Sequence, residues 1–226
     1  MRAPRPAQRA DYYRSHLLAA QGGVWLDMDT IVMSDIDWIF AGVAELGFAA
    51  RRNRSGLGVA ALGATAGAPE LNRWIQLQEE VLGAINDDRT LPWSALGSES
   101  LTRAVGMGRF FELPPRRVAP LPWTESAQFV SRFSQPEHVL GSAPSIVNLY
   151  NERFPLQVKR ASREQILSSR MLLARLIRIA LGISKPEDER YRFDSLGGTI
   201  ESGGKALQRG SRALLRALST TRHTPL

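Results

Sequence analysis

The chain has 226 residues, with 29 lysines and arginines against 22 acidic residues, a formal net charge of +7 and no cysteine. The missing cysteine excludes disulfides, thiolate nucleophiles and cysteine-bound metals, while 43% apolar residues is ordinary for a globular chain with one core. No apolar run is long enough to span a bilayer, and Met1 to Ala10 has no signal-peptide pattern.

The first predicted element is a helix from about Asp11 to Ala20, packed through Tyr12, Leu17 and Leu18. Gly22 and Gly23 supply its stop and turn, and Val24-Trp25-Leu26 reads as a short apolar strand leading to Asp27 and Asp29. On a strand alternate residues point the same way, so the two aspartates are expected on one face with Met28 facing the opposite layer. Two carboxylates at a strand end suit one hard divalent cation, with positions left for water and phosphate oxygens. An Asp-x-Asp pair alone is a weak signal that solvated loops produce by chance. Asp11 and Arg14, three apart, are neighbours on one helix face, and the plain alternative for them is a local ion pair worth about 0.3 kcal/mol.

Taken together, Ala10-Asp-x-x-Arg14 and Gly22-Gly-x-Trp-Leu-Asp-x-Asp29 make a compound motif of about twenty residues. It resembles the signature of DXD-type sugar transferases, which include capsule and lipopolysaccharide glycosyltransferases, an initiating mannosyltransferase of yeast and the glucosyltransferase domains of large clostridial toxins. The resemblance implies an α/β fold, an incomplete GT-A (Rossmann-like) nucleotide-sugar transferase fold with a helical C-terminal extension. It also implies a nucleoside-diphosphate sugar donor and a divalent cofactor, Mn2+ or Mg2+. Carried over by position, Asp29 and Asp27 are the metal and catalytic carboxylates, and Asp11 and Arg14 bind the donor sugar. Relatives supply a first strand, loop and helix upstream of the Asp-x-x-Arg helix, whereas only 26 residues precede Asp27 here, so the resemblance implies an amino-truncated domain.

Downstream, Leu46 to Ala50 and Gly56 to Leu62 read as two buried strands separated by a basic turn, Arg51 to Ser55. A helix is predicted from Pro69 to about Ile85, with Leu71, Trp74, Ile75, Gln78 and Leu82 on one stripe and Trp74 in the core. Asp35 and Asp37 read as turn and cap residues. Ala95 to Arg103 resembles the family's Gly-Pro-x-x-Leu-Thr element, which introduces a helix beside the site, with Ser98 in the place of proline. Ser145 to Arg153 stands where relatives carry a histidine. Asn148 in that place can orient a phosphate or hydroxyl, or offer a carbonyl ligand, and cannot serve as acid or base.

Charge divides the chain. Residues 1–159 hold 16 basic and 16 acidic residues, whereas residues 160–226 hold 13 and 6 and so carry the whole net charge. The expected division is a partial GT-A catalytic domain over 1–159 and a basic helical extension with a flexible tail over 160–226. Ser162 to Leu181 reads as one amphipathic helix, packed on the domain, and Gly204 to Ser219 as a second with Lys205, Arg209, Arg212 and Arg216 at helical spacing. Such helices suit peripheral contact with anionic membrane, at the inner face for a cytoplasmic protein, or simple solubility.

The Arg-rich tail also suits nucleic-acid phosphates, but no helix-turn-helix, stacking pattern or zinc arrangement accompanies it, so no specific nucleic-acid readout is expected. His16, His138 and His223 lack metal-ligand spacing, and no Gly-x-Ser-x-Gly elbow supports a serine hydrolase. The expected function is metal-dependent, retaining transfer of a hexosyl unit from a nucleoside-diphosphate sugar to an acceptor hydroxyl of a polysaccharide, glycolipid or protein glycan. The alternative is a catalytically impaired descendant that binds sugars or assembles with another subunit.

Overall fold

The structure, a computed structural model, describes residues 5–54, 56–84 and 91–189. Helix α1 spans Pro6–Gln21, five residues longer at its start than the sequence reading. Pro6 suits the first turn, and the Gln8 side chain accepts from the Arg5 backbone N–H at 2.9 Å, so the helix begins with its first turn already braced. Its buried face is Gln8, Asp11, Arg14, Ser15 and Leu18, mostly polar, while Leu17 is exposed and Tyr12 half-buried. The expectation that Leu17 packs inward is therefore corrected: the helix turns its hydrogen-bonding side to the protein.

Gly22 and Gly23 both take positive φ, 68° and 100°, and a Cβ on Gly22 would lie 2.7 Å from the Ala66 backbone nitrogen. That turn delivers the chain into β1 (Gly23–Leu26), which is followed by β2 (Thr30–Val32) and α2 (Asp37–Leu46). The Asp37 N–H donates to Asp35 Oδ1, the turn role read from sequence. Then come β3 (Phe48–Asn53), β4 (Gly56–Ala64), α3 (Pro69–Gly83), α4 (Ser98–Val105) and β5 (Phe111–Glu112). Ile85, the expected end of α3, lies outside the described residues.

Four strands form a mixed sheet in the order β1-β4-β3-β5, with β4 antiparallel to both neighbours and β5 parallel to β3. Arg51, Arg52 and Asn53 belong to β3, paired with Gly58, Leu57 and Gly56, so the basic turn expected over Arg51 to Ser55 is corrected to a shorter one. The sheet leaves these arginines at a half-exposed hairpin end, where long charged side chains can pair through their backbone and keep their heads in water.

One face of the sheet packs Phe48, Ala50, Leu57 and Leu62 against Leu71 and Trp74 of α3 and Leu101 of α4. Trp74 is fully buried, as expected, and its indole N–H donates to the Leu96 carbonyl and Ser100 Oγ. The other face packs Ala49 and Ala61 against Ile39 and Val43 of α2.

The chain continues through short helices α5 (Pro115–Val118) and α6 (Glu137–Leu140), with a 3-10 segment at Trp123–Val130 between them, to β6 (Ile146–Asn148). Strand β6 pairs antiparallel with β2 as a two-stranded ribbon, Thr30 opposite Asn148. A 3-10 turn at Asn151–Arg153 and helix α7 (Leu156–Lys159) lead to α8 (Arg163–Ser168) and α9 (Leu172–Ala180). The single helix expected over Ser162 to Leu181 is thus two. Arg178 of α9 donates to the Leu167 and Ser169 carbonyls at the end of α8, supplying partners to a helix terminus that the break leaves open. Leu172, Leu173 and Leu176 pack with Ile31, Phe129, Val147 and Phe154, so α9 is docked on the β2–β6 ribbon. The described chain is mixed α/β, in agreement with the expected class. The helix expected at Gly204 to Ser219 lies outside the described residues.

Candidate active site

The site forms where β1 ends and β4 bulges. Ala50 of β3 pairs with Leu62, but Arg51 pairs with Gly58, so Val59, Ala60 and Ala61 bow out of the β3 ladder. The freed carbonyls acquire new donors: the Ala60 carbonyl accepts from the Asp27 N–H at 2.9 Å, and the Val59 carbonyl accepts from Arg14 Nη1. The bulge therefore fixes both the backbone of the first aspartate and the arginine beside it.

Arg14 lies at the centre of this arrangement. Its Nη2 is 2.9 Å from Asp27 Oδ1, its Nη1 is 3.5 Å from Asp11 Oδ1, and its guanidinium carbon is 5.2 Å from the Trp25 ring centroid. Only 4% of Arg14 is exposed, against 7% of Asp11. This replaces the local surface ion pair with a buried cation held between two carboxylates, where the guanidinium fork and its fixed charge matter far more than at an exposed helix pair. Trp25 adds an indole N–H donated to the same Asp27 Oδ1 at 2.9 Å.

Asp27 and Asp29 do not lie on one strand face. Strand β1 stops at Leu26, Met28 and Asp29 form a turn, and Met28 is fully exposed, so the expectation that Met28 faces an opposite layer is corrected. The chain must turn here because β2 belongs to a different sheet from β1. The turn still keeps the two carboxylates close enough for the charge on Asp29 to bear on Asp27.

The second carboxylate is held from the far side. The Leu149 N–H donates to the Asp29 carbonyl and the Asn151 N–H donates to Asp29 Oδ2, each at 2.9 Å. Between them Tyr150 takes φ 53° and ψ 50°, the left-handed conformation that a bulky residue rarely adopts. Asn148, buried at 6% exposure, precedes this turn and accepts from the Tyr150 N–H through Oδ1 at 3.4 Å. Each aspartate thus spends one carboxylate oxygen on protein donors. Among the described residues no hydrogen bond reaches Asp27 Oδ2 or Asp29 Oδ1.

The electrostatics follow from burial. Asp11 is pushed up to about 6, chiefly because burial disfavours its charge; Arg14 opposes the shift and Asp27 adds to it. Asp27 is also raised, first by burial and further by Asp29, with Arg14 and the Trp25 N–H pulling the other way. A Cβ on Gly97, at the N-terminus of α4, would lie 2.6 Å from Asp11 Oδ2, so the carboxylate rests directly against that glycine. This gives the Ala95 to Arg103 segment its expected helix beside the site.

Sequence reasoning brought Asp11, Arg14, Asp27, Asp29 and Asn148 to this region and missed the groups that hold them. Gln78 of α3 donates to the Asp11 and Leu96 carbonyls and accepts from Ser15 Oγ, a polar role hidden in an apolar stripe. Trp25 was legible in principle, since it lies two residues before Asp27 on the strand that leads to it. Arg51 and Tyr150 come together only in the fold: burial raises the Tyr150 phenol, the Arg51 guanidinium opposes that shift and the charge of Asp29 adds to it.

Comparison with known proteins matches residues 2–44 to the family described as glycosyltransferase sugar-binding region containing DXD motif. A solved structure described as PaToxG Glycosyltransferase aligns at 17% identity and a TM-score of 0.35 over 79% of this chain and 53% of that one. The chain therefore spans about half the length of that structure. No curated protein matches the chain. The matched residues 2–44 include Asp11, Arg14, Asp27 and Asp29, so the similarity to that family falls on the first helix and the Asp-x-Asp turn.

Proposed function

We propose that the chain transfers a hexosyl unit from a nucleoside-diphosphate sugar to an acceptor hydroxyl on a polysaccharide, glycolipid or protein glycan, with retention of configuration. The observation that carries this reading is the Asp11–Arg14–Asp27 chain of contacts ending beside Asp29, within the matched region. Two hard carboxylates, each with one oxygen not taken by a described hydrogen bond, and mutual repulsion that a cation relieves, fit Mn2+ or Mg2+. Held by Asp29 with help from Asp27, the ion would neutralise charge on the diphosphate leaving group.

The chain's own residues supply the rest. Arg14 and Trp25 lock the Asp27 rotamer, and the Asn151 N–H locks that of Asp29, so neither carboxylate reorganises when a donor arrives. Asp11 accepts from a sugar hydroxyl, with Arg14 as its counter-charge, and Asn148 orients a hydroxyl or phosphate oxygen through its amide. In the transfer the bond between the anomeric carbon and the phosphate oxygen breaks as the acceptor oxygen bonds to the same face. The acceptor proton passes to the departing diphosphate.

A role in sugar binding or subunit assembly without turnover has one observation in its favour: among the described residues no group of three metal-ligating side chains occurs. Hydrolysis of UDP-glucose, UDP-N-acetylglucosamine and GDP-mannose, followed with and without Mn2+, tests the proposal. Metal-dependent turnover lost in Asp29→Asn supports transfer. Donor binding without turnover supports the sugar-binding role, and no binding of any of the three donors overturns both transfer and sugar binding, leaving subunit assembly.

Peripheral contact with an anionic membrane from the cytoplasmic side, together with a division into a catalytic part over 1–159 and an extension over 160–226, is part of the same proposal and is supported by the charge of the extension. No helix among the described residues is long and apolar enough to cross a membrane.

A further inference from the structure

The bulge that anchors Arg14 and Asp27 also carries a cation that the motif does not contain. Arg51 sits where β3 and β4 lose register, and the absence of a side chain at Gly58 leaves room for its guanidinium: a Cβ there would lie 3.4 Å from both Nε and Nη2. Tyr150, next to the two residues whose N–H groups hold Asp29, has its phenol within electrostatic reach of both Arg51 and Asp29. No carboxylate among the described residues is in ion-pair range of Arg51, although Arg14, on the other side of the same bulge, has two.

Resting on the donor-site reading above, we propose that Arg51, steadied by the Tyr150 hydroxyl, grips the distal phosphate of the donor's diphosphate beside Asp29. Three features support this. A planar, permanently charged fork matches a phosphate's oxygens and is weakly hydrated, so it binds at low cost in a half-enclosed site. The left-handed conformation of Tyr150 presents its successor's N–H to Asp29 Oδ2, so one strained turn positions both the second aspartate and a phenol within electrostatic reach of Arg51. Finally, the bulge that aims Arg51 is the one that anchors Arg14 and Asp27, which ties the sugar side and the phosphate side to one backbone irregularity.

The test is equilibrium binding of UDP, GDP, UMP and GMP to the full chain in Mn2+, comparing wild type with Arg51→Ala, Arg51→Lys and Tyr150→Phe. Arg51→Ala should weaken the diphosphates by about 10-fold or more and leave the monophosphates within about 2-fold, because only the former carry the distal phosphate. Arg51→Lys, which keeps charge without the fork, should fall between. Equal losses for mono- and diphosphates, or none, would overturn the assignment. Should Arg51→Ala fail to fold, Tyr150→Phe decides: it removes one hydroxyl and is expected to weaken diphosphates selectively, whereas unchanged affinity sinks the idea. Wild type that binds none of the four nucleotides overturns the donor-site reading itself, and this inference with it.

Discussion

The Arg14 guanidinium stands 2.9 Å from Asp27 Oδ1 and 3.5 Å from Asp11 Oδ1, so one buried cation from the first helix holds a carboxylate of its own helix and another at the end of the adjoining strand. Removing it leaves the buried Asp11 and the partly buried Asp27 without a counter-charge, Asp27 keeping only the Trp25 N–H. Arg14→Met should therefore destabilise the fold by about 3–5 kcal/mol, read as the midpoint shift in urea unfolding. Arg14→Lys should recover only part of this, because an ammonium cannot serve Asp11, Asp27 and the Val59 carbonyl in one plane.

Asp11 makes stability depend on pH in the opposite sense to an ordinary surface carboxylate. Its folded value, about 6, lies above its unfolded value of 3.8, so the folded state binds more protons in between. The group's contribution is full below about pH 4 and is lost as pH rises through about 6, beyond which it is flat. Glu189, lowered chiefly by hydrogen bonds from Arg178, slopes the other way and loses its contribution as pH falls through its folded value. Asp11→Asn should remove the first slope and raise neutral-pH stability by on the order of 2–3 kcal/mol while weakening donor binding. Unfolding curves of both proteins between pH 4 and pH 8 check the sign; a variant that tracks wild type throughout contradicts it.

The aspartates, the Gly-Gly turn and α3 were legible because each rests on a local rule: positive φ at Gly22 and Gly23, proline in the first turn of α3, and an apolar stripe through Leu71 and Trp74. The inward face of α1 was not. A helix that buries Gln8, Asp11, Arg14 and Ser15 breaks the apolar-inside pattern, and such violations concentrate where function requires polar groups in the interior. Arg51 reads as a turn arginine in sequence because nothing local encodes the bulge that aims it. The break between α8 and α9 was likewise hidden, since the Arg178 contacts that satisfy the exposed carbonyls of Leu167 and Ser169 are supplied from eleven and nine residues away. Tyr150 in the left-handed region is the least legible of all, being set by the Asp29 contacts on either side of it.

Gly97 tests whether the α4 terminus belongs to the site. A methyl group there would stand 2.6 Å from Asp11 Oδ2 and 3.0 Å from its Cγ, too close to persist. Gly97→Ala must push the carboxylate toward Arg14 or shift the start of α4, at a cost of about 1–3 kcal/mol. Nucleotide-sugar affinity should fall more than affinity for the free nucleoside diphosphate, because Asp11 is assigned to the sugar. Parallel titrations of UDP and UDP-glucose, with GDP and GDP-mannose alongside, read the difference; equal losses would place Asp11 outside the sugar pocket.

Asp29→Asn separates metal chemistry from folding. The amide oxygen can still accept from the Asn151 N–H, and the backbone carbonyl still accepts from the Leu149 N–H, so both tethers survive. What disappears is one negative charge beside Asp27, whose own value should then drop because a neighbouring charge that raised it is gone. The variant is expected to unfold within about 0.5 kcal/mol of wild type and to lose nearly all Mn2+-dependent donor hydrolysis. It should also lose the extra thermal stabilisation that Mn2+ with UDP or GDP confers on wild type, since only a state that binds the pair is stabilised by mass action. A variant that retains this ligand-induced shift would show that the ion, if bound, is held elsewhere.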